Sequence, residues 1–396
     1  MTIIIGAGTA GLMAAAHQKG QVLLLEKKDK LGTKLSISGG GRCNVTNRKN
    51  IDEIIKNIPG NGKFLHSAFS KFNNEDIINF FENLGIKLKE EDNGRMFPVS
   101  NKAYDVVNIL VKLIENKGVT IKKNCAVKKI VFENNKVSGV IVQDGEFIKA
   151  TKVIVSSGGM SVPETGSTGD GYEWAKAAGH KITDLFPTEV PITSSEKFIK
   201  EKTLMGISFK EANLKIMDGK KVVVNHKLGI IFTHFGISGP AALRCSQFVL
   251  KTMKKRNIKE VVAVLDVLPN FNEEELNIKI NIILERTNKK PHNALKLLAP
   301  ERFLEFIINE GEIPKNSREI AYKLKNFKFM VDGTLPIEKS FVTGGGVCVK
   351  QINPSTMESK LVKGLYFCGE ILDIHGYTGG YNITAALVTG KIAASN

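Results

Sequence analysis

The opening stretch TIIIGAGTAGLMAAAHQKGQVLLLE constrains the fold more than any other part of the chain. Ile3, Ile4 and Ile5 form a short β-branched run, as a buried strand requires. Gly6, Gly8 and Gly11 follow as G-x-G-x-x-G, with Thr9 and Ala10 inside the turn. Leu12, Ala14, Ala15 and Ala16 continue as a small-residue helix able to lie close to a sheet. VLLL then supplies a second strand, ending at Glu26 about twenty residues beyond Gly6. The first glycine makes the turn, the second admits a pyrophosphate, and the third lets helix meet strand. The helix N-terminus offers N–H groups and a positive dipole end to phosphates. Glu26, with Lys27 beside it, stands where an adenosine ribose would be held.

This pattern predicts a dinucleotide site, and the next segment chooses between dinucleotides. A nicotinamide dehydrogenase continues with regular strands and helices after the acid. Here the chain enters a polar glycine loop, KKDKLGTKLSISGGGRCNVTN. Gly39, Gly40 and Gly41 contribute no core area, so bare backbone is needed there. That suits FAD, whose second half lies extended along a domain. Lys34 and Arg42 would balance the diphosphate or a reduced flavin anion.

Further along, NEDIINFFENLG predicts a helix, and SNKAYDVVNILVKLIENKG another, capped at Ser100 and ended by Gly118. Residues 119–155 predict a β-meander and a returning strand, KVIVSS, with Ser157, Gly158 and Gly159 at its end. ETGSTGDGYEWAKAAGH opens a helix near Gly169, where Asp170 would cap the helix or bind a ribityl or ribose hydroxyl. Pro187 and Pro191 mark a boundary. Residues 188–270 read as a β-rich inserted domain and 271–329 as a helical subdomain. Residues 1–187 and 330–396 read as one discontinuous cofactor domain. Near the end, GLYFCGE is a strand leading to Gly369 and Glu370. GYTGGYN, with Gly379 and Gly380, opens a final helix through Asn382 and Ile383. Such a helix would aim its positive end at the flavin. The fold class expected is α/β: a Rossmann-like domain with a parallel sheet and meander, a β-barrel-like insertion and a small helical part.

Composition bounds the function classes. A chain of 396 residues exceeds one growing core, so two or three domains are expected. No apolar run reaches the roughly 18 residues of a membrane span. MTIIIGAG reads as a strand rather than a leader, so the cytoplasm is the expected compartment. The five cysteines form no CxxC and none lies near a histidine at metal-ligand spacing, which argues against a disulfide framework or a metal site. Cys125 and Cys245 read as small buried apolar residues. The formal charge of +16 has lysines scattered among acids. Its densest cluster, KTMKKR at 251–256, carries no aromatic residue, so it reads as a solvated face and weighs against a nucleic-acid partner.

Taken together, IIGAGTAGLMAA, SGGGRCNVTN, SSGGMSVPETGSTGDGYEWAKAAGH, FVTGGGV and GLYFCGEILDIHGYTGGYN give nearly the whole chain a resemblance. It resembles the BaiN/RdsA-type (YhiN-like) NAD(P)/FAD-dependent oxidoreductases, some of which carry an aminoacetone-oxidase label. The resemblance implies non-covalent FAD in a discontinuous domain. Gly6, Gly8 and Gly11 would hold pyrophosphate and Glu26 the ribose. Lys34 and Gly40, Gly41, Arg42, Cys43 and Asn44 would line the cofactor, with Val127 meeting adenine through backbone. Ser157 and Gly158 would flank the diphosphate, Glu370 the ribityl region, and Gly380, Asn382 and Ile383 the ring.

The function expected is hydride exchange between the flavin and a small or medium organic substrate. No second nucleotide motif follows, so NAD(P)H would act as a co-substrate at the open flavin face. His375, Tyr377 and Cys43 are the candidate catalytic groups, with Tyr381 nearby. The alternatives are a flavoprotein that acts on or binds RNA, motivated by the basic charge, and a flavin-binding protein without turnover. The sequence leaves substrate identity and oligomeric state open.

Overall fold

Short apolar runs assemble a parallel sheet in which four strands are buried almost throughout and the edge strand at Thr120–Lys122 is partly exposed. In the computed structural model, which describes residues 1–309, 314 and 316–395, they form β1 (Thr2–Ile5), β2 (Val22–Leu25), β3 (Thr120–Lys122), β4 (Lys152–Val155) and β5 (Leu365–Phe367). The order is β5-β4-β1-β2-β3, with every pairing parallel. Ile3, Ile4, Leu24, Val153 and Phe367 are fully buried, as parallel strands require. Each such side chain contributes roughly 1.5–3 kcal/mol on burial. These elements belong to a unit made of Met1–Phe186 and Ile337–Asn396.

Two helices pack together beside this sheet. Helix α1 (Thr9–His17) buries Leu12, Met13, Ala14 and Ala15 completely, and α5 (Tyr381–Ala394) lies against it. Gly390 makes the approach feasible: a Cβ there would stand 2.3 Å from the Ala10 carbonyl oxygen. Between β2 and β3 lie α2 (Thr33–Gly41) and α3 (Ala103–Asn116). The stretch expected as an open loop therefore begins as a helical turn. It breaks at Ser38, Gly39 and Gly40, the two glycines having φ of +57° and +69°. Helix α3 starts later than Ser100 suggests, with Lys102 at the N-cap position and no side-chain cap. The meander appears as Val127–Glu133, Lys136–Val142 and Phe147–Lys149. A further small sheet pairs Thr46–Asn47, Arg95–Pro98 and Leu88–Glu91, which the sequence reading did not foresee. Helix α4 (Asp170–Ala177) follows β4.

The second unit is Pro187–Pro336. Seven antiparallel strands run in the order 327–331, 261–266, 208–218, 221–232, 236–238, 192–193 and 333–334. Its two edge strands are separated in sequence by Asp332 alone, so the sheet curls until its edges meet, as a barrel does. Residues 330–336, expected in the cofactor domain, belong to this sheet because Phe327–Val331 pairs with Val261–Leu265. Helix Pro240–Arg256 was also not foreseen; it lies over the hairpin and buries Ala241, Ala242, Cys245 and Val249. Residues expected as a separate helical part share one core with the strands. Leu276, Ile280, Phe303 and Leu324 cluster with Phe209, Leu214, Phe232 and Phe329. Phe303 meets Phe209 edge-on at 5.1 Å, a contact worth about 0.5–1.5 kcal/mol beyond area. Within the part expected to be helical over 271–329, one helix is seen as Glu301–Asn309, and residues 310–313 and 315 lie outside the described residues.

Candidate functional site

Strand β1 pairs with β2 on one side and β4 on the other, so a crevice opens at the carboxyl ends of β1 and β4. The three motif glycines divide the labour there. A Cβ on Gly11 would stand 1.9 Å from the Gly6 carbonyl oxygen, so Gly11 lets α1 sit on the turn. Gly6 has φ of +96° and abuts the Ser156 backbone. A Cβ on Gly8 would meet nothing within 4 Å, so Gly8 alone leaves open space before the helix. Gly8 is also the N-cap of α1, which has no side-chain cap, and Thr9 begins the helix. The helix end is thus available to an anion. Ala10, by contrast, is buried beneath Gly390 and Gly369 and serves packing rather than the crevice.

Glu26 closes one end. Its carboxylate accepts from the Ala7 N–H at 2.8 Å and the Lys28 N–H at 2.9 Å, which fixes its orientation. The Glu26 carbonyl accepts from the Cys125 N–H at 2.9 Å, bringing the start of the meander, Val127, to the same end. Lys27 pairs with Asp170 at 2.7 Å and also donates to Thr168. Asp170 therefore does not cap α4, whose N-cap is Gly169; its carboxylate answers Lys27 and accepts from the Thr168 hydroxyl at 2.8 Å.

Lys34 and Arg42 were expected to answer a bound anion, and in the structure each has a carboxylate partner in the protein. The Lys34 ammonium donates to Glu370 at 2.8 Å and to the Ser161 hydroxyl at 2.7 Å. Glu370 also accepts from the Thr343 N–H at 2.8 Å and the Ser161 hydroxyl at 2.7 Å. Burial alone would raise the Glu370 pKa; Lys34 and these donors outweigh it and hold the carboxyl below its ordinary value. Arg42 pairs with Glu91, donates to Asn101 at 2.8 Å and lies 4.2 Å over the Phe97 ring.

The glycines after β4 also divide. Gly158 has φ of +76°, whereas a Cβ on Gly159 would strike Thr343 Oγ1 at 2.3 Å, so Gly159 is a packing glycine. Gly369 likewise packs on Ala10. The Ser157 hydroxyl is buried and has no hydrogen-bond partner among the described residues.

At the far end, α5 begins at an N-cap Gly380 without a side-chain cap. A Cβ on Gly380 would lie 2.8 Å from the Thr46 carbonyl carbon and 3.0 Å from Asn44 Oδ1. Asn47 donates to the Gly379 carbonyl at 3.0 Å, and Thr46 bonds Thr384 at 2.7 Å. These contacts join the glycine-loop segment to α5 across the length of the chain. Asn382 holds the entering loop, accepting from Gly376 N–H at 2.7 Å and donating to its carbonyl at 2.8 Å. Ile383 is half-buried in the first turn of α5. Asn44 is buried, and its Oδ1 has no partner among the described residues.

Of the catalytic candidates, Cys43 is fully buried and burial pushes its thiol up to about 12. It holds no thiolate at neutral pH and packs instead. Iodoacetamide at about pH 8 should label the half-exposed Cys348 and spare Cys43 until the chain unfolds; peptide mapping reads the order. The His375 ring is buried against Gly60 and meets Phe186 edge-on at 5.4 Å. Tyr377 is also buried, its N–H bonded to the Asn57 carbonyl at 2.9 Å. Ser161, Thr343 and Tyr172 were not singled out from sequence. Tyr172 is buried with its hydroxyl unpartnered among the described residues. Burial, then Glu370 and Asp373, push its pKa up. The signal for Ser161 and Thr343 was faint: small polar residues beside glycine runs, in GGMSVP and FVTGGG.

An uncapped helix N-terminus, open space at Gly8, the fixed carboxylate of Glu26 and the orphaned polar atoms of Ser157 and Asn44 fit a dinucleotide such as FAD along this crevice. Comparisons with known proteins agree with the fold. The chain is 32% identical over 401 residues to the ribosomal RNA dihydrouridine synthase of Haemophilus influenzae, covering 96% of this chain and 94% of that protein. It is 27% identical over 410 residues to the 3-dehydro-bile acid delta(4,6)-reductase of Clostridium scindens, covering 98% and 97%. Among solved structures, the 3-ketosteroid-delta4-(5alpha)-dehydrogenase of Rhodococcus jostii RHA1 has a similar fold, with a TM-score of 0.52 at 13% identity over 100% of this chain and 96% of that one. The family described as HI0933-like protein Rossmann domain matches residues 1–396, and the chain belongs to it.

Proposed function

We propose that this protein is an FAD-dependent oxidoreductase that adds hydrogen across an electron-poor carbon–carbon double bond, and that its substrate is a uracil of ribosomal RNA. The crevice around Gly8 carries the cofactor half, because open space there faces an uncapped helix N-terminus. The reaction class is supported by what two relatives' names share. Making dihydrouridine saturates a double bond conjugated to a carbonyl, and a delta(4,6)-reductase acting on a 3-dehydro bile acid does the same in another skeleton. The RNA substrate is favoured over a small molecule by the higher identity to the former and by the charge of +16.

Bound FAD would supply the hydride, with NADH or NADPH proposed as its reductant. The chain would do the rest. Glu26 would hold the ribose, Gly8 and the α1 N-terminus the diphosphate, and Asn44 and the α5 N-terminus the far end. Saturating a conjugated bond also needs a proton at the carbon next to the carbonyl. His375 and Tyr377, in the loop entering α5, are the groups proposed to supply or hold it.

The test is anaerobic. Protein loaded with FAD and reduced by NADPH or NADH is mixed with unmodified rRNA transcript, or with a 3-oxo-4-ene steroid. Return of the oxidised flavin spectrum with rRNA, and dihydrouridine in the digest, is the expected result. Reoxidation by the steroid alone would overturn the RNA substrate, and failure to bind FAD would overturn the whole reading. Cys43→Ser should leave the rate of flavin reduction unchanged; loss of reduction with FAD still bound would restore Cys43 as a catalytic group.

A further inference from the structure

The basic run at 251–256 does not stand alone once the chain is folded. The hairpin of strands 208–218 and 221–232 pairs Asp218 with Lys221 at its tip. Strand 261–266 runs beside it with Ile216 opposite Ala263, which brings Val261, and the loop before it, to the level of the same tip. Helix Pro240–Arg256 ends there too: Arg256 bonds Asp218 at 2.7 Å and Lys255 approaches it at 3.7 Å. Three elements thus present Lys220, Lys221, Lys254, Lys255, Arg256 and Lys259, all exposed, at one end of the sheet.

Within 218–221 and 254–260, the stretches that form this tip, the only carboxylates are Asp218 and Glu260. The Asp218 side chain is 10% exposed and engaged by Arg256 and Lys255. The helix C-terminus accounts for a few cations in its last turn. It does not account for Lys220, Lys221 and Lys259, which sit on other elements and have no carboxylate partner among the described residues. Clustering like charges without compensation opposes folding unless a polyanion repays it. No aromatic residue stands within 218–221 or 254–260, so the tip is suited to gripping phosphates rather than reading or stacking bases.

We propose that this tip is the surface by which the protein holds the phosphate backbone of structured ribosomal RNA. The proposal rests on the RNA reading above and adds where on the chain the backbone is gripped.

The full-length FAD-loaded protein and the variant Lys220→Glu/Lys221→Glu/Lys255→Glu/Lys259→Glu are titrated with unmodified ribosomal RNA transcript between about 50 and 200 mM salt. Losing four phosphate contacts should flatten the plot of log affinity against log salt by about 3, at roughly 0.7–0.9 per contact, and weaken binding at least about tenfold. The melting temperature should hold or rise as the repulsion is relieved, and the rate of flavin reduction should not move. A second variant, with glutamine at the same four positions, should flatten the slope similarly without added repulsion. Equal slopes for wild type and the glutamine variant, with RNA bound tightly by both, would overturn the tip as the binding surface and leave the RNA reading standing. A wild type that binds no rRNA would overturn both. A wild type that binds phosphatidylglycerol vesicles and not rRNA would also overturn both, and assign the tip to a membrane surface.

Discussion

Gly8→Ala is expected to fold as the wild type does and to emerge colourless. Its φ of −76° and ψ of −170° suit alanine, and the new methyl meets no protein atom within 4 Å. The methyl would instead occupy the space proposed for a diphosphate, costing on the order of a hundredfold in FAD affinity. Gly11→Ala should do the opposite. Its Cβ would lie 1.9 Å from the Gly6 carbonyl oxygen and 2.6 Å from Ser156 Oγ. The backbone oxygen cannot swing aside, so α1 must lift from β1 and its packing against α5. A loss of about 3 kcal/mol or more is expected, at the upper end of overpacking. Urea melts and bound-flavin absorbance of the two variants separate these effects. A Gly8→Ala protein that keeps its FAD would remove the diphosphate from this turn, and a Gly11→Ala protein as stable as wild type would refute the close packing.

That these two glycines can be told apart shows what the sequence made legible. The strand, turn, helix, strand and acid were readable because each depends on neighbours within about 25 residues. The meander was readable for the same reason: alternation and the Asn134–Asn135 turn, where both residues take positive φ, are local signals. Partnerships across the chain were not readable. Nothing near Lys34 announces Glu370, and nothing near Arg42 announces Glu91, so neither ion pair could be read from the local sequence. Helix Pro240–Arg256 did leave a signal, Pro240 at its first position after Gly239. The surrounding β-branched residues outweighed it in the sequence reading. Strand Phe327–Val331 was hidden differently: it belongs to a sheet whose next strand, Val261–Asp266, lies beyond four intervening helices among the described residues.

Lys34→Met should be the most informative single change at the crevice, because its cost should depend on pH. In the wild type, Glu370 has a native pKa below its unfolded value, where a free glutamate titrates near about 4.3. Its contribution to stability is therefore complete above that unfolded value and is lost as the pH falls through the native pKa. Removing Lys34 takes away the largest opposing influence and leaves burial, which raises the pKa. In the variant the native pKa should then exceed the unfolded one. The folded chain takes up a proton first on acidification, so the variant regains stability as the pH falls through that raised value. At pH 7 the unpaired carboxylate should cost about 2–3 kcal/mol, below the usual 3–5 for a buried pair because both side chains retain some exposure, 27% and 20%. Near pH 4.5 the difference should shrink to a fraction of that. Urea titrations of both proteins from about pH 4.5 to 8 measure it. A stability gap that stays constant across that range would mean that Glu370 does not depend on Lys34 for its charge. The pair would then have to be an incidental surface contact rather than the electrostatic anchor that ties α2 to the segment after β5.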